Sequence, residues 1–126
     1  MSQILIRRYL ITDEKQLFEL LEREGEDWQD YWRFGAEKYK KALISCVTYV
    51  AFDGGIMCGY VRCREDDGFG IYVYDLLVDA KFRGRGIGRM LLERVCGDYP
   101  DQICYAMSDA DGYYKKSGYQ REGSIF

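Results

Sequence analysis

The sequence predicts an α/β (α+β) fold. The architecture expected is a mixed, mostly antiparallel central sheet with helices on both faces and one β-α-β unit, in a single domain spanning residues 1–126. Three observations predict it. The strand-like runs Ser45–Phe52, Ile56–Glu65 and Phe69–Val78 are separated only by the turn sequences Asp53–Gly55 and Asp66–Gly68, so neighbours should be antiparallel. Phe69–Val78 is then followed by a helical pattern and a further apolar run, "QICYAMS" (Gln102–Ser108), with the length of a right-handed parallel crossover. Finally, a chain of 126 residues is the size of one domain and can bury roughly two thirds of its unfolded surface.

The elements follow in order. "QILIRRYL" (Gln3–Leu10) is rich in β-branched and apolar residues and reads as a strand. Asp13 can cap a helix, with Gln16 as its reciprocal partner, and Leu17, Leu20 and Leu21 form the apolar stripe behind it. Glu24 to Asp27 reads as an acidic loop. A second helix is expected over Trp28 to Leu43, with Trp28, Tyr31, Trp32 and Tyr39 near one face. After the three central strands comes a glycine-rich turn. Ile87, Met90, Leu91 and Val95 then recur at helical spacing. Gln102–Ser108 is a buried strand, Ser108 with Asp111 caps a short helix to about Ser117, and Gly118–Phe126 is expected as a final strand. The predicted order is β-α-α-β-β-β-α-β-α-β.

Composition excludes several function classes. There is no histidine, so neither a histidine triad nor a histidine-based metal site can exist, and no metal is expected. The net charge of −3, without a long run of one sign, argues against a nucleic-acid partner. No apolar stretch is long enough to span a bilayer, and the N-terminus lacks the pattern of a signal peptide, so no membrane partner is expected. The five cysteines show no C-x-x-C pairing and read as reduced thiols of a cytoplasmic protein.

The chemistry is concentrated in "KFRGRGIGRMLLERV" (Lys81–Val95), where Arg83, Arg85 and Arg89 interleave with Gly84, Gly86, Ile87 and Gly88 at a helix start. The first amides of a helix have no intrahelical partners, and the helix dipole places positive potential there. Glycines admit positive φ and let a ligand approach the backbone, while arginines add charge-assisted bonds to phosphate oxygens. A phosphate or diphosphate is the natural guest. The dinucleotide pattern G-x-G-x-x-G does not fit, because Arg89 stands at the third glycine, and the G-K-[ST] of a Walker loop is absent.

"RGRGIG" (Arg83–Gly88) resembles the [RQ]-x-x-G-x-[GA] segment of the GNAT superfamily of acyl-CoA-dependent N-acetyltransferases. "DLLVDAKF" (Asp75–Phe82) is similar to the strand and loop leading into that segment. "YYKKSGY" (Tyr113–Tyr119) resembles the family's [FY]-Y-x-K-x-G-[FY] segment. The sequence departs from the pattern in three places. Ala80 stands where the family often has proline. Met107 stands where an asparagine often holds the cofactor arm, leaving that task to Ser108 or Asp109. The chain also stops soon after its last expected strand, where many members continue. That implies a sheet edge which a second copy could cover in a homodimer, or an incomplete acceptor site.

The resemblance implies roles. Acetyl-CoA would be the co-substrate, its diphosphate cradled by Arg83, Gly84, Arg85, Gly86, Ile87, Gly88 and Arg89. The strand at Leu76–Val78 would splay from Gln102–Ser108, and the pantetheine arm would pair with backbone groups near Leu77 and Val78. A free amide there could hold the oxyanion. Tyr114 matches the general-acid tyrosine that would protonate the departing thiolate, against the alternative of a packing tyrosine; Tyr113 is expected in the core. Asp75, a carboxylate in the otherwise apolar "IYVYDLLV", is the candidate base for the acceptor amine, against a structural aspartate bonded to a neighbour. Tyr72 and Tyr74 could help position the water. Trp28, Tyr31, Trp32 and Tyr39, with Glu24, Glu26, Asp27 and Asp30, form either a wall for a cationic acceptor or an ordinary amphipathic helix beside a solvated loop. Lys116 matches the family's lysine; Lys115 and Lys116 are otherwise surface cations. The implied function is transfer of an acetyl group to a primary amine, small molecule or peptide, by direct attack in a ternary complex. Without histidine to activate a cysteine, a covalent relay is not expected. The alternative is a non-catalytic acyl-CoA-binding sensor or interaction module.

Overall fold

In the computed structural model, residues 3–108 and 110–124 are described. The sheet has five strands in the order β1 (Ile4–Arg8), β2 (Val47–Asp53), β3 (Ile56–Glu65), β4 (Ile71–Val78) and β5 (Cys104–Ala106). The first four are antiparallel neighbours, and β5 lies parallel to β4. The helices are α1 (Glu14–Glu24), α2 (Ala36–Ser45), α3 (Ile87–Asp98) and α4 (Asp111–Lys116).

Helices cover both faces, and strand alternation supplies each core. Val50 and Phe52 of β2 pack with Leu17, Leu20, Leu21, Tyr39 and Leu43 of α1 and α2. Tyr49 and Ala51, one residue out of phase, pack with Ile87, Leu91, Leu92 and Val95 of α3. The phase changes within β4. Arg62 pairs with Asp75 and Cys63 with Val73, so Tyr74 has no opposite number and forms a bulge. Before the bulge, Ile71 and Val73 face α3; beyond it, Leu77 faces the α1–α2 layer. Asp75 shares that second phase and turns toward α2.

Four local expectations are corrected. The helix over Trp28–Leu43 is broken into a 3₁₀ turn at Glu26–Trp28, a π-helical turn at Asp30–Phe34, and α2. Gly35 causes the last break: its amide bonds to the Asp30 carbonyl at 2.9 Å, and that oxygen lies where a Cβ would stand. Gln16 does not cap α1. Its side chain accepts from the Met57 amide at 2.9 Å and donates to the Gly55 carbonyl at 3.2 Å, clamping the helix to the β2–β3 turn. Residues 118–124 form no strand: they are mostly exposed and polar, and β5 pairs with β4 alone among the described residues; residues 125 and 126 of the expected strand lie outside the described residues. Tyr113 is not in the core but 39% exposed.

Asp13 does precede α1, but its carboxylate serves β1. Arg7 donates to both of its oxygens at 2.8 Å, and the Leu10 amide donates at 2.8 Å. Burial pushes the Asp13 carboxyl up, but the Arg7 and Leu10 hydrogen bonds outweigh it and hold it below the usual range. A carboxyl whose pKa falls on folding stabilises above its unfolded pKa and loses that contribution as pH drops through the folded value. The wild type should therefore lose more urea stability between about pH 5 and about pH 3 than Asp13→Asn does. Equal losses in parallel denaturation curves would remove Asp13 from the acid response.

Candidate functional site

The site forms where β4 leaves β5. The two strands pair at Ile71–Cys104, Tyr72–Tyr105 and Val73–Ala106, and the last backbone bond runs from the Met107 amide to the Val73 carbonyl at 2.9 Å. From there β4 continues beside β3 alone, with Leu76, Leu77 and Val78 opposite Val61, Tyr60 and Gly59. The side chain of Leu77 is buried, while beyond Val73 its strand has no strand partner on the β5 side among the described residues. The splaying expected from the sequence is present: side chains fill the core and one backbone edge borders a gap.

The glycine-rich turn follows. Asp79 caps a 3₁₀ turn at Ala80–Phe82 through the Lys81 amide, at 3.0 Å, and is anchored by Arg23 at 2.8 Å. Gly84 and Gly86 adopt φ of 84° and 78°, the left-handed region that favours glycine, and Gly86 leads into α3. No heavy atom lies within 4 Å of where a Cβ would stand at either residue, so a ligand can approach this backbone. Gly88 has a different reason: a Cβ there would collide with the Tyr113 hydroxyl. Arg83 donates to the Val78 carbonyl at 3.0 Å and pairs with Glu24 at 2.7 Å. Arg85 pairs with Asp53 and Arg89 with Glu93. These are exposed pairs worth little each, so the guanidinium groups can exchange a carboxylate for a phosphate.

Above the splay lies a cavity of about 390 Å³ lined by Asp27, Trp28, Asp30, Tyr31, Tyr74, Asp75, Leu76, Met107, Ser108 and Tyr114. Asp75, Ser108 and Tyr114 therefore share one chamber with Asp27, Trp28, Asp30, Tyr31 and Tyr74, which the sequence offered for the acceptor side; Trp32, Tyr39, Tyr72, Glu24 and Glu26 are not in its lining. Leu77, Val78 and the segment Arg83–Arg89 lie outside its lining, as do Lys115 and Lys116. Asp109 lies outside the described residues. Ser108 donates to Asp111 at 2.9 Å and accepts from the Ala110 amide at 3.0 Å, fixing the approach to α4. The Tyr114 ring stands edge-on to Tyr113 and Tyr119.

Asp75 is 4% exposed. Its Oδ1 accepts from the Tyr31 hydroxyl at 2.7 Å; its Oδ2 accepts from the Tyr39 hydroxyl at 2.6 Å and Arg62 Nε at 2.5 Å. Tyr39 also bonds the fully buried Tyr60 hydroxyl at 2.7 Å. Burial, reinforced by the charge and hydrogen bond of Asp75, pushes the Tyr31 phenol up to about 12. Burial also raises Tyr39 and Tyr60, so all three remain protonated donors. Burial lowers Arg62, but Asp75 more than compensates. The guanidinium sits over the rings of Tyr31, Tyr39 and Tyr74 at 5.9, 5.3 and 5.5 Å, and Tyr31 stacks on Tyr39. Sequence reasoning missed Arg62 and Tyr60. A partial signal existed for Arg62: it is the first charge after an apolar run in "IMCGYVRCRE", although Arg64 and Glu65 follow it in the same strand.

Among the described residues, no group of three or more histidine, cysteine, aspartate or glutamate side chains could hold a metal ion. No helix among them is long and apolar enough to cross a membrane.

The model of the acetyltransferase (GNAT) family matches residues 13–119. No curated protein sequence matches the chain. Among solved structures, a GNAT-family acetyltransferase, SP0256 from Streptococcus pneumoniae TIGR4, aligns over 100% of this chain and 97% of its own at 23% identity, with a TM-score of 0.72. The PaiA N-acetyltransferase from Thermoplasma acidophilum, in complex with coenzyme A, aligns over 98% and 93% at 18% identity and TM-score 0.73. AAC(6′)-Iy in complex with the bisubstrate analogue CoA-S-monomethyl-acetylneamine aligns over 99% and 97% at 15% identity and TM-score 0.78. At these identities the structures establish a shared fold.

Proposed function

The chain belongs to the acetyltransferase (GNAT) family and is an acyltransferase; from that premise we propose that it moves an acetyl group from acetyl-CoA to a primary amine, by direct attack with both substrates bound. The observation that carries this is the single chamber shared by Asp75 and Tyr114 at the point where β4 and β5 part.

The residues fit coenzyme A. The exposed backbone of Gly84 and Gly86, the first amides of α3 and the arginines Arg83, Arg85 and Arg89 suit a diphosphate. The edge of β4 that β5 leaves, near Leu77 and Val78, suits an amide-bearing arm, the Val78 carbonyl being the acceptor that Arg83 now occupies at 3.0 Å, and Ser108 lines the adjoining cavity with Leu76. When bound, acetyl-CoA supplies the thioester carbonyl. A backbone amide of the β4 edge near Leu77 would then donate to the carbonyl oxygen as negative charge develops there. The Tyr114 hydroxyl would donate to the departing sulfur. Asp75 would take the proton of the acceptor ammonium through a water. Oδ1 is the oxygen with room for it, since Oδ2 already accepts from Tyr39 and Arg62. Holding both reactants in one chamber can itself contribute effective molarities of about 10⁵ M or more.

The chamber's charges favour a cationic acceptor: Asp27, Asp30 and Asp75 line it, and no lysine or arginine does among the described residues. Trp28 and Tyr31 add π faces. We place the reaction in the cytoplasm, where the five unpaired thiols would stay reduced.

The test combines calorimetry with coenzyme A and acetyl-CoA-dependent thiol release over a panel of amines. Binding of the nucleotide, with release that rises with cationic amines and stays at background with neutral amides, is the expected result. No heat from coenzyme A at about millimolar concentration would overturn the cradle. Binding without turnover on any amine would favour a sensor.

A further inference from the structure

Away from the chamber, on the α3 face of the sheet, three reactive groups from three segments meet. Cys96 lies in the last turns of α3, Cys104 opens β5, and Tyr119 follows α4. The Tyr119 hydroxyl is 3.7 Å from Cys96 Sγ and donates to Cys104 Sγ at 3.5 Å. Cys96 and Tyr119 also line a second cavity, of about 180 Å³, with Arg89, Leu92, Glu93 and Ser117. Cys46, Cys58 and Cys63 are buried by contrast.

We propose that Cys96 and Cys104 are a peroxide-reactive dithiol, with Cys96 the attacking sulfur, Cys104 the resolving one and Tyr119 the phenol that bridges them. The groups around them support the division of labour. Cys96, not Cys104, lines the cavity; its interaction with Cys104 draws the Cys96 thiol down, burial opposes this, the Tyr119 hydroxyl adds to it, and Glu93 opposes it. Cys104 is pushed up, first by its bond to Cys96 and then by burial, with the Cys96 and Cys63 thiols adding to the rise and Tyr119 opposing it. Among the described residues, Arg89 is the one cation lining the cavity, where it pairs with Glu93 at 2.9 Å.

The chemistry balances with hydrogen peroxide as oxidant. The Cys96 thiolate attacks one peroxide oxygen; an S–O bond forms, the O–O bond breaks, and hydroxide leaves as water after taking a proton. Cys96 is then a neutral sulfenic acid, so the anion that kept Cys104 protonated is gone. Cys104 loses its proton and attacks the Cys96 sulfur; the S–S bond forms and the S–O bond breaks, releasing a second water. The two thiols supply the two electrons. The disulfide would tie the end of α3 to β5, the two later segments of the β-α-β unit.

The test uses the whole reduced chain, treated with hydrogen peroxide, quenched by alkylation and mapped by peptide mass. A Cys96–Cys104 crosslink that dithiothreitol reverses is expected, with Cys96 consumed about tenfold or more faster than Cys46. In Cys104→Ser, dimedone should label Cys96. A folded chain without the crosslink, or with all five cysteines oxidised at one rate, would overturn the proposal. So would dimedone labelling of Cys104 in Cys96→Ser at the rate seen for Cys96 in Cys104→Ser. The readout is mass, so it is independent of whether acetyl transfer is detected.

Discussion

Replacing Asp75 by alanine is expected to cost the fold about 3–5 kcal/mol, which in urea lowers the unfolding midpoint by about 2 M. The reason is what the substitution leaves behind. Arg62 has a side chain 14% exposed and shares Asp75 Oδ2 with Tyr39. Without the carboxylate, a buried guanidinium loses its counter-ion and the Tyr31 and Tyr39 hydroxyls lose their acceptor. Removing one partner of a buried pair is far more damaging than removing both. Arg62→Met with Asp75→Leu should therefore recover a substantial part of the loss, the remainder reflecting the stranded phenols. An unfolding midpoint unchanged in Asp75→Ala would mean that water reaches the pair.

Stability and catalysis can be separated at the same position. Asp75→Asn keeps the shape of the side chain but has no anionic oxygen to take the acceptor's proton. Measured on folded protein at low temperature, it should lower kcat. Loss of stability with kcat intact would assign Asp75 to holding Arg62 alone.

The contrast between Asp75 and Arg62 shows what the sequence reveals. A carboxylate inside "IYVYDLLV" is conspicuous on composition alone. Its partner shares "IMCGYVRCRE" with Arg64 and Glu65, so singling it out needs the register, and the register depends on the Tyr74 bulge. A strict alternation carried through β4 would put Asp75 and Val73 on one face, whereas the bulge sends them to opposite ones. The three hairpin-linked strands and the glycine turn were legible because turn residues and alternation are local signals, whereas the pairing of β1 with β2 was not, since two helices separate them. The break between the early helical turns was not, because Gly35 acts through a contact with the Asp30 carbonyl five residues back. The packing reason for Gly88 was equally hidden, since it comes from Tyr113 on α4.

Tyr114→Phe is expected to lower kcat by about 10²–10⁴-fold while changing the KM for acetyl-CoA little. The ring position should survive: Phe keeps the edge-on contacts to Tyr113 and Tyr119, whose centroids lie at 5.4 and 5.5 Å. Only the hydroxyl is removed, so stability should change by about 1 kcal/mol or less. The mechanism makes a sharper demand than a simple loss of rate. A phenol hydroxyl acts on the sulfur only as that atom gains negative charge. Its contribution must therefore depend on how poor a leaving group the thiol is. An acetyl thioester of a more acidic thiol needs less help, so the ratio of wild-type to Tyr114→Phe rates should shrink with it. A ratio that stays constant across thioesters would instead place the hydroxyl in positioning the substrate, because a geometric defect is indifferent to leaving-group acidity. Asp75→Asn gives the complementary pattern: its defect should follow the basicity of the acceptor amine and ignore the thiol. Two variants facing one chamber, each sensitive to a different reactant, would show that both substrates react there together.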